Sequence, residues 1–333
     1  MNIYDVSKKA GVSIATVSRV LNGNSKVSEA TRAKVLTVIE ECGYTPNAFA
    51  RGLGLNTMQT VGIMCADSSD PYLASAIYYL ERLLRKEGYD ALLCCTGYEV
   101  SEKQKYLELL LSKRVDSVIL VGSNFVEAIE KNNAYIKQAA KQVPVMLLNA
   151  AMDGSNIYST LCDDFQAMYE ATITLFKSGC NKILYLYNSN SYSGKKKLKG
   201  FKAAHEDAGI EVDSNCVQYF NGHINEVASF LCSLRQSGTT FDAIITSDDS
   251  LAVGALKYAR LENQSVPDQL SIIGYNNSII AECCNPEMTS IDNKLELVCQ
   301  TIVTSLMGIL NGQSVPLRTV FSAEIKKRET TKF

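Results

Sequence analysis

The sequence predicts a small all-α unit followed by a larger α/β body built in two halves. Three observations predict it. Apolar residues recur at helical spacing in three short runs before residue 45. Beyond residue 58, short β-rich apolar runs alternate with longer helical ones, the pattern of parallel sheets covered on both faces. The charge is also unequally divided. Residues 1–58 hold seven Lys/Arg and four acids, a net +3, so the total of −2 leaves −5 on the remaining 275 residues. A basic module on an acidic body is expected where only one end meets phosphate.

The first predicted helix is 3–10, with Ile3, Val6 and Ala10 on one face. Gly11 supplies a turn position that tolerates positive φ. Ser13 can cap a second helix, 14–21, by accepting from a free backbone N–H. Val17, Val20 and Leu21 face inward there, and Thr16, Ser18 and Arg19 outward. The run Asn22-Gly23-Asn24 ends it. Ser28 caps a third helix reaching about Cys42, with Val35, Val38 and Ile39 as its buried stripe. Two short helices around a Gly-containing turn, the second one polar outside, fit a helix-turn-helix. An ordinary three-helix bundle fits the spacing equally well. Pro46 cannot continue the third helix. The stretch 47–54 then reads as a short element weakened by Gly52 and Gly54.

In the body, strands are predicted over 61–65, 91–95, 117–121, 143–148, 182–187, 243–246 and 271–275. Helices are predicted over 72–87, 101–111, 165–178, 196–208 and 250–262. Ligands of such folds sit at the carboxyl ends of the strands. The candidate ligand wall is therefore Ser69, Asp70, Tyr72, Ser123, Asn149, Asp163, Lys197, Asp248 and Asn276, with 188–197 beside it. Carboxylates and amides there suit sugar hydroxyls, and Tyr72 can pack on a ring. The run Lys195-Lys196-Lys197 with Lys199 and Lys202 reads first as a solvated helix face. It could also hold a phosphate or carboxylate of a ligand.

Several classes are disfavoured. No apolar run is long enough to span a bilayer, and the N-terminus lacks a signal-peptide pattern, so a cytoplasmic protein without a membrane partner is expected. The eleven cysteines include adjacent pairs but no CxxC, which favours reduced core thiols over a metal site. His205 and His223 are isolated. No GxGxxG, P-loop, nucleophile elbow or HExxH occurs, so neither catalytic residues nor a cofactor are expected.

The runs Ile3-Tyr4-Asp5-Val6, Ala10-Gly11-Val12-Ser13 and Ala15-Thr16-Val17-Ser18-Arg19-Val20-Leu21-Asn22-Gly23 resemble the headpiece of the LacI family of bacterial regulators. So does Gly43-Tyr44-x-Pro46-Asn47-Ala48-x-Ala50-Arg51-x-Leu53. The similarity continues at lower density through the chain. Ile14-Ala15 is nearer to the catabolite control and purine repressor types than to the lactose repressor. The resemblance implies a headpiece over 1–45, a hinge helix or linker over 46–58, and a periplasmic-binding-protein-like domain over 59–333. Lobe 1 would span about 59–161 and 291–321, and lobe 2 about 162–290 and 322–333.

The resemblance also implies roles on operator DNA, with the second helix in the major groove. Arg19 suits a guanine O6/N7 edge, and Thr16 and Ser18 suit bases or phosphates. Tyr4, Ser13 and Asn22 would contact phosphates. Ala15 can offer only apolar contact, and Ile14 is either packed or set against a thymine methyl. Leu53 falls at the minor-groove wedge position, with Asn47 and Ala50 lining the same groove. The chain would act as a homodimer or tetramer on a pseudo-palindrome, as a repressor controlled by a sugar-like effector.

Two departures from the family pattern concern that effector. Lys197 stands where an Arg is usual before Gly200-Phe201, and Asn276 where an Asp is usual after the strand 272–275. The expected Arg–Asp pair thus becomes Lys–Asn, losing a charge and a bidentate fork. An aromatic stacking residue is sought near Phe220–His223, where Gly222 can occupy its place. A phosphoprotein co-repressor, as in catabolite control proteins, is the competing partner. Lys197 resembles that branch, whereas Asn285 before Pro286 lacks its arginine. A ligand-binding protein with no regulatory effector is the remaining alternative.

Overall fold

The computed structural model describes residues 2–21, 26–44 and 57–333. The chain divides into two compact units. One is Met1–Thr60 with Arg114–Asp116, and the other is Val61–Lys113 with Ser117–Phe333. The expected end of the second helix at 22–24, and positions 46–56 of the expected linker, lie outside the described residues.

In the first unit, α1 (Ile3–Ala10) begins at a capping box. The Asn2 side chain accepts from the N–H groups of Tyr4 and Asp5, and the Asp5 carboxylate accepts from the Asn2 N–H at 3.0 Å. Gly11 ends it at φ 59, a left-handed conformation that disfavours a side chain. Helix α2 (Ile14–Leu21) follows, with the Thr16 N–H donating to the Ser13 hydroxyl at 3.1 Å. Helix α3 (Glu29–Glu41) is capped by Ser28 through the Thr31 N–H at 3.3 Å. The three meet over Val6, Ala10, Val17, Val20 and Val35, with Val38 and Ile39 half-buried around them. Each buried valine stabilises the unit by about 1.5–3 kcal/mol relative to an exposed one. A core this small leaves little margin.

The second unit contains two six-stranded sheets. The first uses β1 (Thr60–Cys65), β2 (Asp90–Cys95), β3 (Ser117–Val121), β4 (Val145–Leu148), β5 (Ile157–Cys162) and β11 (Arg318–Phe321), in the order β11-β5-β4-β3-β1-β2. The second uses β6 (Ile183–Tyr187), β7 (Val217–Tyr219), β8 (Ala243–Thr246), β9 (Ser271–Tyr275), β10 (Ser290–Asp292) and β12 (Glu324–Lys326), in the order β12-β10-β9-β8-β6-β7. Inner pairings are parallel, as in Ile63↔Ile119 and Leu184↔Ile244, while β12 runs antiparallel to β10. The chain passes between sheets after β5, after β10 and after β11.

Helices α4 (Pro71–Lys86), α5 (Val100–Ser112) and α6 (Ala134–Ala139) alternate with the strands of the first sheet. Helices α7 (Asp164–Lys177), α8 (Tyr192–Ala208), α9 (Val227–Gln236), α10 (Asp249–Leu261) and α11 (Ile279–Cys283) belong with the second. Helix α12 (Leu295–Leu310) returns to the first sheet, burying Val298, Ile302 and Leu306 against α4 and the β4 and β5 strands. Two starts differ from expectation by two residues or more, each for a local reason. Strand β4 starts at Val145 because Pro144 has no N–H to donate, so the first donation to the neighbouring strand is from Val145 N–H to the Asn156 carbonyl at 3.0 Å. Helix α8 starts four residues early because Ser191 caps it, accepting from the Gly194 N–H at 3.3 Å. No helix among the described residues is long and apolar enough to cross a membrane.

Candidate functional site

The first candidate surface lies on α2. Val17 is fully buried and Val20 nearly so, and they turn the opposite face outward. Ile14, Ala15 and Arg19 are exposed there, and Thr16 and Ser18 half-buried. Ile14 is therefore a surface residue rather than a packed one, at 38% exposure. Ser13 shares a hydrogen bond between its hydroxyl and that of Thr16 at 2.9 Å, so both stand at the helix start. Tyr4 is exposed on α1. Asn22, Asn47, Ala50 and Leu53 lie outside the described residues.

The second candidate lies at the carboxyl ends of both sheets. A cavity of about 110 Å³ is lined by Asp70, Tyr72, Ser123, Asn149, Lys197, Asp248 and Asn276, all called from the sequence. Tyr98, Asn124 and Asn188 join them. Its lining is tied across the lobes. The Ser123 hydroxyl donates to that of Ser191 at 2.8 Å, and Ser189 reaches Asn124 Oδ1 at 3.5 Å. Asn149 and Asn276 sit just beyond β4 and β9 at φ 61 and 98, turns that aim their amides past the strand ends.

Lys197 is buried on α8. Its Nζ donates to the Ser247 carbonyl at 2.8 Å and stands 3.5 Å from the centre of the Tyr275 ring. Tyr275 in turn donates to Asp164 Oδ1 at 2.6 Å. Burial pushes the ammonium below its ordinary range, and the nearby Asp164 and Asp248 carboxylates hold it up. Asp164 responds in the opposite direction: burial raises its pKa, while Lys197, Ser193 and Tyr275 lower it. Gly200 makes this arrangement possible. A methyl group there would collide with the Phe165 carbonyl, so glycine lets α8 lie directly on α7.

Lys197 and Asn276, the two departures from the family pattern, have separate partners. Asn276 Oδ1 accepts from Asn293 Nδ2 at 3.0 Å. Asp163 falls outside the cavity: it is exposed and caps α7 through the Gln166 N–H at 3.1 Å. Its neighbour Asp164 is the buried carboxylate. The signal was available in the periodicity, since Asp164, Met168, Ala171 and Leu175 form one buried stripe of α7. Ser69 is exposed and donates to Asp67 at 2.7 Å, outside the lining. Asp248 caps α10 through Leu251 N–H at 2.9 Å and accepts from Asn188 Nδ2 at 2.6 Å. Asp249 points away, accepting from the Ser278 N–H and hydroxyl and from the Ser290 hydroxyl.

A wider cleft of about 1050 Å³ continues outward, sharing Asp70, Tyr98, Asn124, Asn188 and Asp248 with the inner cavity. Tyr192, Tyr219 and Phe220 line it, as do Lys195, Lys196 and Lys199. Tyr219 is the exposed aromatic near the position where a stacking residue was sought. Phe220 packs on Phe230 at 5.2 Å, and Gly222 lines the same wall. Lys103, buried on α5, is held by the Asn124 carbonyl and Glu127 at 2.6 and 2.7 Å. His205 packs between Phe176 and Phe201, away from the cleft.

These two surfaces have counterparts in known proteins. Residues 2–47 match the family of bacterial regulatory proteins called lacI, and residues 58–328 match that of periplasmic binding proteins and the sugar-binding domain of LacI family proteins. The chain is similar to an HTH-type transcriptional regulator of Lachnoclostridium phytofermentans, at 55% identity over all of both chains. It is similar in structure to a transcriptional regulator CelR–cellobiose complex, at 25% identity, 99% coverage of each chain and a TM-score of 0.71. The fold also matches a lac repressor dimer bound to operator and an anti-inducer, with a TM-score of 0.90, 99% coverage of each chain and 23% identity. The chain thus belongs to the LacI family: it is a DNA-binding transcription regulator, not an enzyme, with a helix-turn-helix headpiece and a sugar-binding type of α/β domain.

Proposed function

We propose that this regulator is a repressor that reads a pseudo-palindromic operator as a dimer and is controlled by a sugar or sugar derivative in the cleft. The observation that carries the DNA half is the outer face of α2, where Arg19 stands exposed opposite a fully buried Val17. An arginine so presented can form two hydrogen bonds to a guanine edge. Ile14 and Ala15 add apolar surface beside it, and Thr16 and Ser18 add hydroxyls. Tyr4, Ser13 and Asn22 are assigned to phosphates. Asn47, Ala50 and Leu53 are assigned to the minor groove at the operator centre. Acting on chromosomal DNA, the protein works in the cytoplasm.

The effector half rests on the cleft lining. Two carboxylates, four amides and two tyrosines converge at the strand ends with one buried ammonium, a set suited to hydroxyl groups and ring faces. The similar regulator CelR, which is seen as a cellobiose complex, supports a saccharide over a purine.

Quantitative footprinting tests the DNA half. The full chain is expected to bind a two-half-site operator tightly and one isolated half-site weakly, because one headpiece makes few phosphate contacts. Arg19→Ala is expected to cost about 1–3 kcal/mol and to relax preference at one base pair per half-site. Tight binding to a single half-site overturns the dimer reading. Equal loss on all sequences makes Arg19 a phosphate contact.

A further inference from the structure

The cleft has two parts of unequal size and character. Its inner end holds only about 110 Å³, whereas ligand sites run from about 300 to 1,000 Å³. A ligand that reaches Asp248 and Asn149 must therefore fill part of the outer cleft of about 1050 Å³ as well. One ring leaves much of that space to water. The outer walls carry the exposed phenol rings of Tyr98 and Tyr219, aromatic faces set in a polar groove.

The charges are also sorted. Asp70 and Asp248 lie at the junction of the two parts and face inward and outward alike. Of the outer acids, Glu127 is held by buried Lys103 and Asp67 by Ser69. Across from them, Lys195, Lys196 and Lys199 line the cleft from one turn of α8, all exposed. Lys196 leans over the Tyr192 ring at 6.0 Å, and none of the three makes an ion pair with a described residue. Lys195 and Lys199 are four residues apart, a like-charge spacing that destabilises a helix unless an anion sits between them. A solvated face accounts for lysines pointing anywhere. It does not account for three unpaired lysines sharing one cavity wall with aromatic rings.

Building on the saccharide reading, we infer that the effector is an acidic saccharide of two or more rings. A hydroxyl-rich ring meets Asp70, Asp248 and the amides, and a carboxylate or phosphate on an outer ring meets Lys195 and Lys199. Tyr98 and Tyr219 supply the faces between.

Calorimetry on the full chain tests this. The probes are di- and triuronides, the matching monouronides, the matching neutral di- and trisaccharides, and disaccharide monophosphates. An acidic di- or trisaccharide is expected to bind at least tenfold tighter than both its neutral counterpart and its monouronide. Its affinity is expected to fall as salt rises. The uronide and phosphate arms identify the anion. The double substitution Lys195→Gln, Lys199→Gln is expected to remove at least tenfold of that affinity. Lys202→Gln, which removes the same kind of charge from outside the cleft, is expected to leave it unchanged. Equal binding of a neutral saccharide, or indifference to the double substitution, overturns the acidic inference and leaves the saccharide reading standing. Tight binding of a monouronide alone overturns the extended ligand. No heat from any saccharide, in protein that still binds operator, overturns both.

Discussion

An ammonium taken out of water is unfavourable unless charge and hydrogen bonds replace its hydration. At Lys197 the replacements are the Ser247 carbonyl, the face of Tyr275 and the field of Asp164. Removing the ammonium leaves Asp164 buried with only neutral donors. Lys197→Met is therefore expected to destabilise the protein by up to about 3–5 kcal/mol near neutral pH. The pH dependence has a definite sign. Asp164 is raised above its ordinary value of 3.8, so the folded state binds its proton more tightly than the unfolded one does. Such a group costs stability as pH rises from the unfolded value through the folded one. Loss of Lys197 raises Asp164 further and enlarges that cost. The stability gap between wild type and Lys197→Met should thus be wide at pH 7.5 and narrow toward pH 4. Urea denaturation at the two pH values checks this, and a gap independent of pH would remove Asp164 from the account.

At the scale of elements, the site depends on how closely α8 approaches α7. The Gly200 position lies against the Phe165 carbonyl and the Tyr169 N–H, both backbone groups that cannot swing aside. Gly200→Ala improves helix propensity by about 1 kcal/mol in isolation. The collision should outweigh that gain, because overpacking costs about 1–3 kcal/mol and sometimes more. The expected result is a net loss in thermal stability, together with weaker effector binding as Lys197 is displaced from Tyr275. A Gly200→Ala protein as stable as wild type would mean the helices separate without strain. The same logic explains the misplaced carboxylate. Asp163 and Asp164 carry the same side chain; the helical period puts Asp164 on the buried stripe of α7, and the seating of that stripe on the second sheet encloses it.

On the scale of the whole molecule, the two lobes touch through polar side chains at the cleft, Ser123 with Ser191 and Asn124 with Ser189. A ligand between them exchanges these bonds for its own, and so acts on the arrangement of the lobes. It regulates only if it binds one arrangement better than another. Linkage then imposes a symmetric prediction. Whatever factor the effector applies to operator affinity, operator DNA must apply to effector affinity. Titrating effector into the full chain with and without saturating operator measures that factor directly. An effector whose affinity ignores the operator would be a ligand without a regulatory role.

The sequence by itself determined the parts of this protein that depend on local patterns. Helical periodicity places α1, and periodicity with a capping serine places α2 and α3, within a residue or two, because a short helix is defined by its own apolar stripe and its ends. Unbroken apolar runs reveal β1, β3, β6, β8 and β9, because a strand buried on both faces must be apolar throughout. Strand ends then locate most of the inner cavity, since the fold puts ligands there whatever the residues are. Other elements were not legible. Strands β7, β10 and β12 are three residues each, too short to carry a period. Strand β5 buries Ser159 and Thr160, so its run looks polar. The charge partners were decided only by tertiary structure. Lys197 takes the Ser247 carbonyl and the Tyr275 ring as its partners, with Asp164 held on the Tyr275 hydroxyl, and Tyr98 enters the cleft from the loop after β2. Coulombic and hydrogen-bond partners depend on distances between elements, and those distances are fixed by packing, as at Gly200, rather than by spacing along the chain.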